Sequence, residues 1–271
     1  MSSVRALILL VSACGFHGPA TEVPGDGDAG AIDAPTALDA AAIDGMLPGF
    51  DAPAIIDGPT GADAQAAFAC NGTDPMQMLC LAFENNTTDG SIGNSHVDVN
   101  GNGLMFPAGE DGLAVSLDVS DSLSISATDA NHVTTQTNSL TIKAYVAPTS
   151  LPAPGVRMGI VDNDGYRMFI MPGGSVRCAI GNGATGGFAD LTTTGGGISI
   201  NAWTRVTCIY NGATISIYFD GALKNQSSKI GTIPLVTTST QIGGNQGGGG
   251  GDNFIGLLDD LQLFRTSLIA P

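Results

Sequence analysis

Asp259 and Asp260 sit side by side inside the apolar run FIGLLDDLQLF. Adjacent residues of a strand point to opposite faces, so these two carboxylates are not expected to work across one bond. Glycoside hydrolysis needs two carboxyl groups roughly 5–10 Å apart. From residue 67 onward the glutamates are Glu84 and Glu110, and they lie on separate segments. The histidines, His17, His96 and His132, have no recognisable nucleophile partner. Gly247 to Gly251 is followed by no Lys, so it is not a phosphate loop and reads as a hairpin loop. Asp162-Asn163-Asp164-Gly165 opens like a calcium loop, but the position of the closing Glu falls near Gly173-Gly174. Between GVRMGIV and YRMFIM it reads instead as a tight turn. No catalytic constellation emerges, and the chain is expected not to be an enzyme. The acidity leaves hard divalent cations, which bind oxygen ligands, as plausible partners.

Cysteine supplies a second chemistry. Arg5 precedes LILLVSAC, which ends at Cys14. That apolar run is too short for a bilayer, which needs about 20 residues. A basic start, an apolar stretch and small residues before a cut make a secretory signal. Val11-Ser12-Ala13-Cys14 resembles the lipobox of bacterial lipoproteins, whose cysteine is lipidated and becomes the mature N-terminus. A plain cleaved signal with an incidental cysteine is the alternative. Gly15, standing where Asp marks inner-membrane retention in that family, implies the outer membrane or cell surface. Cys70, Cys80, Cys178 and Cys208 remain, an even set that suggests two disulfides in an oxidising compartment. Three connectivities are open. Cys70–Cys80 and Cys178–Cys208 are favoured. The first pair flanks a turn at Asp74-Pro75. The second lies on two predicted strands, between Val176 and Ile180 and between Val206 and Tyr210. If those strands are neighbours, they bring the pair together. No cysteine spacing resembles a zinc ligand set.

The formal charge of −16 is unevenly spread. Gly15 to Ala69 contains no Lys or Arg, and its acids run from Glu22 to Asp63. From Cys70 onward 16 acids face 8 bases. Nucleic acid is therefore not an expected partner, because phosphate contacts need a basic surface. Residues 15–66 are Ala, Asp, Gly, Pro and Ile with almost no aromatics, which predicts a disordered acidic tether. The organisation read from the chain is a lipoprotein signal over 1–14, the tether over 15–66 and one domain over 67–271.

That domain reads as all-β. MLCLAFE, SLTIKAYV, YRMFIMP, SVRCAI, WTRVTCIY, ATISIYFD and FIGLLDDLQLF are rich in β-branched and apolar residues. Asn211-Gly212 marks a hairpin and Asp220-Gly221 the next turn. Ile215, Ile217 and Phe219 face one way, and Ser216, Tyr218 and Asp220 the other. Short strands joined by Gly-rich turns predict an antiparallel two-sheet jelly-roll sandwich.

In order and spacing, several segments resemble LamG-like, concanavalin A-like jelly rolls. They are NAWTRVTCIYNGATISIYFDG, TSTQIGG and FIGLLDDLQLFRTSL, with LCLAFENNTTDGSIGN, GEDGLAVSLD and SLTIKAYV before them. The similarity covers roughly residues 70–268, and it extends to the exported, cysteine-containing members common in myxobacterial-type proteomes. The resemblance implies that the first and last strands pair. One structural calcium ion would then lie between Asp89 and one of Asp259 or Asp260. It also implies a non-catalytic binding or adhesion module for glycans or for envelope or extracellular proteins, held to the membrane by its lipid anchor alone. A purely structural envelope protein is the second reading and a glycan-active hydrolase the third. Tyr145, Trp203, Tyr218 and Arg157 or Arg167 are the residues that could contact sugars, although a lone Trp at a strand start is more often packing. No ligand-binding residue is singled out.

Overall fold

The computed structural model describes residues 69–101, 103–129, 138–182, 187–245 and 252–268. Cys14, the tether expected over 15–66 and the loop at Gly247 to Gly251 lie outside them. Among the described residues no helix is long and apolar enough to cross a membrane.

Two antiparallel sheets form the domain. The first runs β1 (Gln77–Leu81), β14 (Gly256–Phe264), β5 (Leu140–Pro148), β10 (Thr204–Tyr210), β11 (Thr214–Phe219) and β12 (Ala222–Ser228). A further strand, β3 (Val115–Leu117), also pairs with β14. The second runs β2 (Val97–Asn100), β4 (Ser122–Ile125), β13 (Thr240–Ile242), β6 (Met158–Asn163), β7 (Tyr166–Ile170), β8 (Val176–Asn182) and β9 (Gly187–Thr192). The two-sheet sandwich read from the sequence is the fold. Each predicted run holds a strand, and the first begins one residue early and ends at Leu81. β3 and β13 lie in GEDGLAVSLD and TSTQIGG and β6 begins in GVRMGIV, rather than in the seven runs, and β2, β4, β9 and β12 lie in none of these segments; β12, ALKNQSS, is too polar to announce itself.

Alternation builds the core. From the first sheet come Leu140, Ile142, Ala144 and Val146 of β5, Val206, Cys208 and Tyr210 of β10, and Ile215, Ile217 and Phe219 of β11. From the second come Tyr166, Met168 and Ile170 of β7, and Val176, Cys178 and Ile180 of β8. Each fully buried Leu or Ile is worth about 1.5–3 kcal/mol against exposure. Asn211 makes the tight turn between β10 and β11. Its Oδ1 accepts the amides of Ala213 at 2.9 Å and Thr214 at 2.8 Å. Asp164-Gly165 is likewise the hairpin turn between β6 and β7.

The disulfides are Cys70–Cys80 and Cys178–Cys208. The second differs from expectation in one respect. β8 and β10 are not neighbours but belong to opposite sheets, so the bond crosses the core. The alternation that aims Cys178 and Cys208 inward also aims them at each other, with Cα atoms 6.3 Å apart.

Candidate functional site

β14 meets β5 along one edge and two shorter strands along the other. β3 covers Gly256 to Leu258, and β1 covers Leu261 to Phe264. Asp259 and Asp260 occupy the gap between them. On the β5 side the register slips between Asp259 and Gln262, and Asp260 has φ +47°. This bulge changes which residues face inward. Strict alternation would send position 260 into the core after 258. Instead Leu258, Leu261 and Leu263 all join the core. The strict alternation on which the opposite-faces expectation rested therefore does not run through Asp259 and Asp260. A carboxylate in an apolar core is far costlier than one left-handed residue, so the bulge is the cheaper solution.

The segment Gly109-Glu110-Asp111-Gly112 closes over the gap. Asp259 Oδ2 accepts the amides of Glu110 at 3.0 Å and Asp111 at 3.1 Å. Close approach requires glycine here: a Cβ on Gly109 would lie 2.4 Å from Asp259 Oδ2. Gly112 has φ +72°, and a Cβ there would lie 2.0 Å from Glu84 Oε1. Glu84 in turn accepts the Leu113 amide at 3.3 Å. Five acids thus gather around one turn. In sequence they are spread over three segments, and only the spaced glycines of GEDG hint at the turn.

Two oxygens in this cluster lack partners. Asp259 is 0% exposed and Asp260 4% exposed. Asp259 Oδ1 and Asp260 Oδ2 are buried without a hydrogen bond. Burial pushes the Asp259 carboxyl up to about 6, against the pull of the amides of Asp111, Glu110 and Asp260. Burial, then the charges of Asp259, Asp111 and Glu84, push Asp260 up to about 8. Hard, anionic oxygens with spare lone pairs suit calcium. Among the described residues no group of three or more His, Cys, Asp or Glu side chains forms a metal cage, so an ion here would draw on backbone carbonyls as well.

Asp89 does a different job. It is buried beside Cys80, and its Oδ1 accepts the amides of Cys80 at 3.0 Å and Ser91 at 2.9 Å. Its Oδ2 accepts the Ser95 amide at 2.7 Å. The Gly90 amide donates to the Cys80 carbonyl at 2.8 Å. Together Asp89 and Gly90 satisfy the amide and carbonyl of Cys80 on the free edge of β1. The structure brings Asp259 and Asp260 together with Glu84 and Asp111, and it spends Asp89 on backbone amides.

The candidate sugar contacts are dispersed. Tyr145 is buried on β5, while Trp203 and Tyr218 are partly exposed. Arg157 stacks on Phe169 with its guanidinium carbon 4.2 Å from the ring centre and binds Asp252 at 2.8 Å. Arg167 stacks on Phe188 at 4.0 Å and binds Asp162 at 2.7 Å. Both arginines are therefore committed within the second sheet. Among the described residues no aromatic side chain is fully exposed as a sugar platform.

The raised carboxyls make stability depend on pH. An unfolded aspartate titrates near 3.9. Between that value and the folded values of about 6 and 8, the folded protein holds protons that the unfolded chain has lost. Their contribution to stability is complete below about pH 4 and is lost as pH rises through 6 and then 8. Urea unfolding of the metal-free protein should therefore show this contribution falling from pH 5 to 9. Asp260→Asn should flatten that part of the profile. Identical pH slopes for the variant and the parent would contradict the assignment.

A family model for the concanavalin A-like lectin/glucanases superfamily matches residues 118–271. No curated protein gives a significant match. Among solved structures, the binding domain of Paraclostridial mosquitocidal protein 1 matches with a TM-score of 0.58 at 18% identity, over 72% of this chain and 50% of that one. Domain 4 of AbnA, an extracellular arabinanase of Geobacillus stearothermophilus solved with arabinotriose, matches with a TM-score of 0.57 at 16% identity. That match covers 72% of this chain and 95% of the domain. The binding domain of botulinum neurotoxin DC, solved with SialylT, matches with a TM-score of 0.52 at 17% identity, over 72% of this chain and 49% of that one. The match thus spans about half of each toxin chain and nearly all of the arabinanase domain. At these identities the likeness is one of fold. The superfamily model covers more than half of the chain and the two-sheet architecture agrees with it, so the chain belongs to the concanavalin A-like lectin/glucanases superfamily.

Proposed function

We propose that this chain is a bacterial envelope lipoprotein whose domain is a non-catalytic binding module for glycans or for surface proteins. One observation carries the non-catalytic part. The GEDG turn packs so closely on Asp259 that no methyl group fits between them, far less a sugar ring. The Asp259 carboxylate is thus closed over by the backbone of the turn. Fold neighbours that are binding domains, or were solved with a saccharide, support the binding part. Two disulfides support an exported, oxidising setting. Within this reading Cys14 carries the lipid and holds the protein at the outer membrane or cell surface.

The same reading assigns a structural calcium ion to Asp259 and Asp260. When bound, it would neutralise two buried carboxylates and tie β14 to its neighbours. Asp89 would contribute by holding the edge of β1 rather than as a ligand.

Three outcomes follow. The full chain should retain a subset of glycans or envelope proteins on an array and release no product from a labelled polysaccharide panel. Hydrolysis of any polysaccharide would overturn the non-catalytic reading, and an empty array would overturn the binding one. Palmitate labelling should disappear in Cys14→Ser, and unchanged membrane fractionation of that variant would refute the anchor. Calcium at a hundredfold excess over its dissociation constant should add about 2.7 kcal/mol of stability. Asp260→Asn should erase that gain; melting curves identical in calcium and in chelator would remove the ion from the account.

A further inference from the structure

We infer that the free edge of β2 is a self-association surface, on which a second copy of this chain pairs antiparallel about a two-fold axis at Val97. Backbone direction comes first. The Gly243 amide donates to the Ile160 carbonyl of β6. The Ile242 carbonyl, across the same peptide, therefore points toward β4, and Leu123 opposite it turns its own amide and carbonyl toward β13. Successive residues of a strand turn these groups to alternate edges, so Ser122 and Ser124 turn theirs toward Asn100 and Asp98 of β2. A second contact agrees: the His96 amide donates to Asp129 Oδ2 at 2.7 Å, just past the end of β4. Val97 and Val99 must then turn their amides and carbonyls away from β4, where no described strand pairs with them. On that side Asp89 takes the Ser95 amide at 2.7 Å, and no described side chain takes those of Val97 and Val99. Such a row of open backbone groups is a template for another chain.

The side chains choose both the occupant and the register. Antiparallel partners share a face, so the two-fold axis must pass through a residue. An axis at Asp98 sets that carboxylate opposite its own copy, with Cα atoms about 4.5 Å apart, and like charges so placed destabilise a pair. An axis at Val99 sets Val97 opposite the second copy's Gly101, whose φ of +136° takes the chain out of the extended form. An axis at Val97 sets His96 opposite the second copy's Asp98, and Asp98 opposite the second copy's His96. Imidazole N–H then faces carboxylate on both sides of the axis, which makes this edge complementary to itself. Both side chains are free to turn outward: they are 84% and 53% exposed, and within one chain they already meet at 3.2 Å. In this register Val97 exchanges two hydrogen bonds with its copy, and each Val99 amide reaches a Ser95 carbonyl. Val99, an exposed apolar side chain at the sheet edge, gains cover. Two seven-stranded sheets become one continuous sheet. A four-residue strand buries little surface, so the association is weak.

The test uses the full chain carrying Cys14→Ser, in which the remaining four cysteines are paired. Sedimentation should show a monomer–dimer equilibrium that shifts with concentration up to about 1 mM. Val99→Pro removes one donor from each copy and spares the β4 side, as proline does on an edge strand. It should weaken the dimer at least about tenfold and leave the melting temperature of the monomer in place. His96→Asp sets carboxylate against carboxylate and should weaken the dimer about tenfold; adding Asp98→His exchanges the two partners and should restore it. Trapping reads the register separately, and it still decides if Val99→Pro does not fold. Chains with His96→Cys are mixed with chains with Asp98→Cys and mildly oxidised. Opposed positions about 4.5 Å apart suit a disulfide, so the mixed dimer should exceed the Asp98→Cys homodimer by well over the roughly twofold of random pairing. A chain that stays monomeric up to that concentration would overturn the proposal. So would a dimer indifferent to both Val99→Pro and His96→Asp, which would lie on another face, or a mixed disulfide no commoner than random pairing gives. Each of these failures leaves the binding and calcium readings standing, because neither uses the edge of β2.

Discussion

Two short strands share one edge of β14, and the gap between them holds two carboxylates. Much of the domain is arranged around that gap. β1 and β3 must meet β14 in series, one at each end. The strand must bulge at Asp260 so that Leu258 and Leu261 can both enter the core. The GEDG turn must carry glycine at both ends, Gly109 against Asp259 and Gly112 against Glu84. Buried charges are expensive unless they are paired or hydrogen-bonded, and here the amides meet only part of the demand. The elevated carboxyls of Asp259 and Asp260 express that deficit. A cation between them would remove it, which is why the calcium proposal attaches to this point.

Asp89 shows the opposite solution with the same side chain. Its two oxygens take three backbone amides, so a buried carboxylate becomes the cap of a sheet edge. An uncapped edge of β1 would be open to pairing with other chains. The second sheet solves its charge problem in a third way. Its arginines lie flat on Phe169 and Phe188 and bind aspartates, so cation, ring and anion satisfy one another.

The strands with apolar alternation were legible in the sequence because their period of two survives into the structure. The inward cysteines were legible for the same reason, although alternation alone could not say that β8 and β10 lie in opposite sheets. The aspartate pair was the hard case. A bulge shifts every later side chain by one position, and it arises from the arrangement of β1, β3 and β5 around β14, which no local pattern records. The task of Asp89 was equally hidden. Its amide donors, on Cys80, Ser91 and Ser95, leave no trace in residue type. Glu84 and the GEDG turn looked unrelated because 25 or more residues of chain separate them, and only strand pairing brings them together.

β14 buries two carboxylates, and the amides around them leave one oxygen of each without a partner, a demand that the proposed cation would fill. Carbon-13 NMR titration of the side-chain carboxyls of Asp259 and Asp260 tests it most directly, with and without saturating calcium. Both carboxyls of the metal-free protein should titrate above the ordinary aspartate range, Asp260 higher than Asp259, and calcium should lower both. Midpoints for both residues within the ordinary aspartate range, and unmoved by calcium, would overturn this reading.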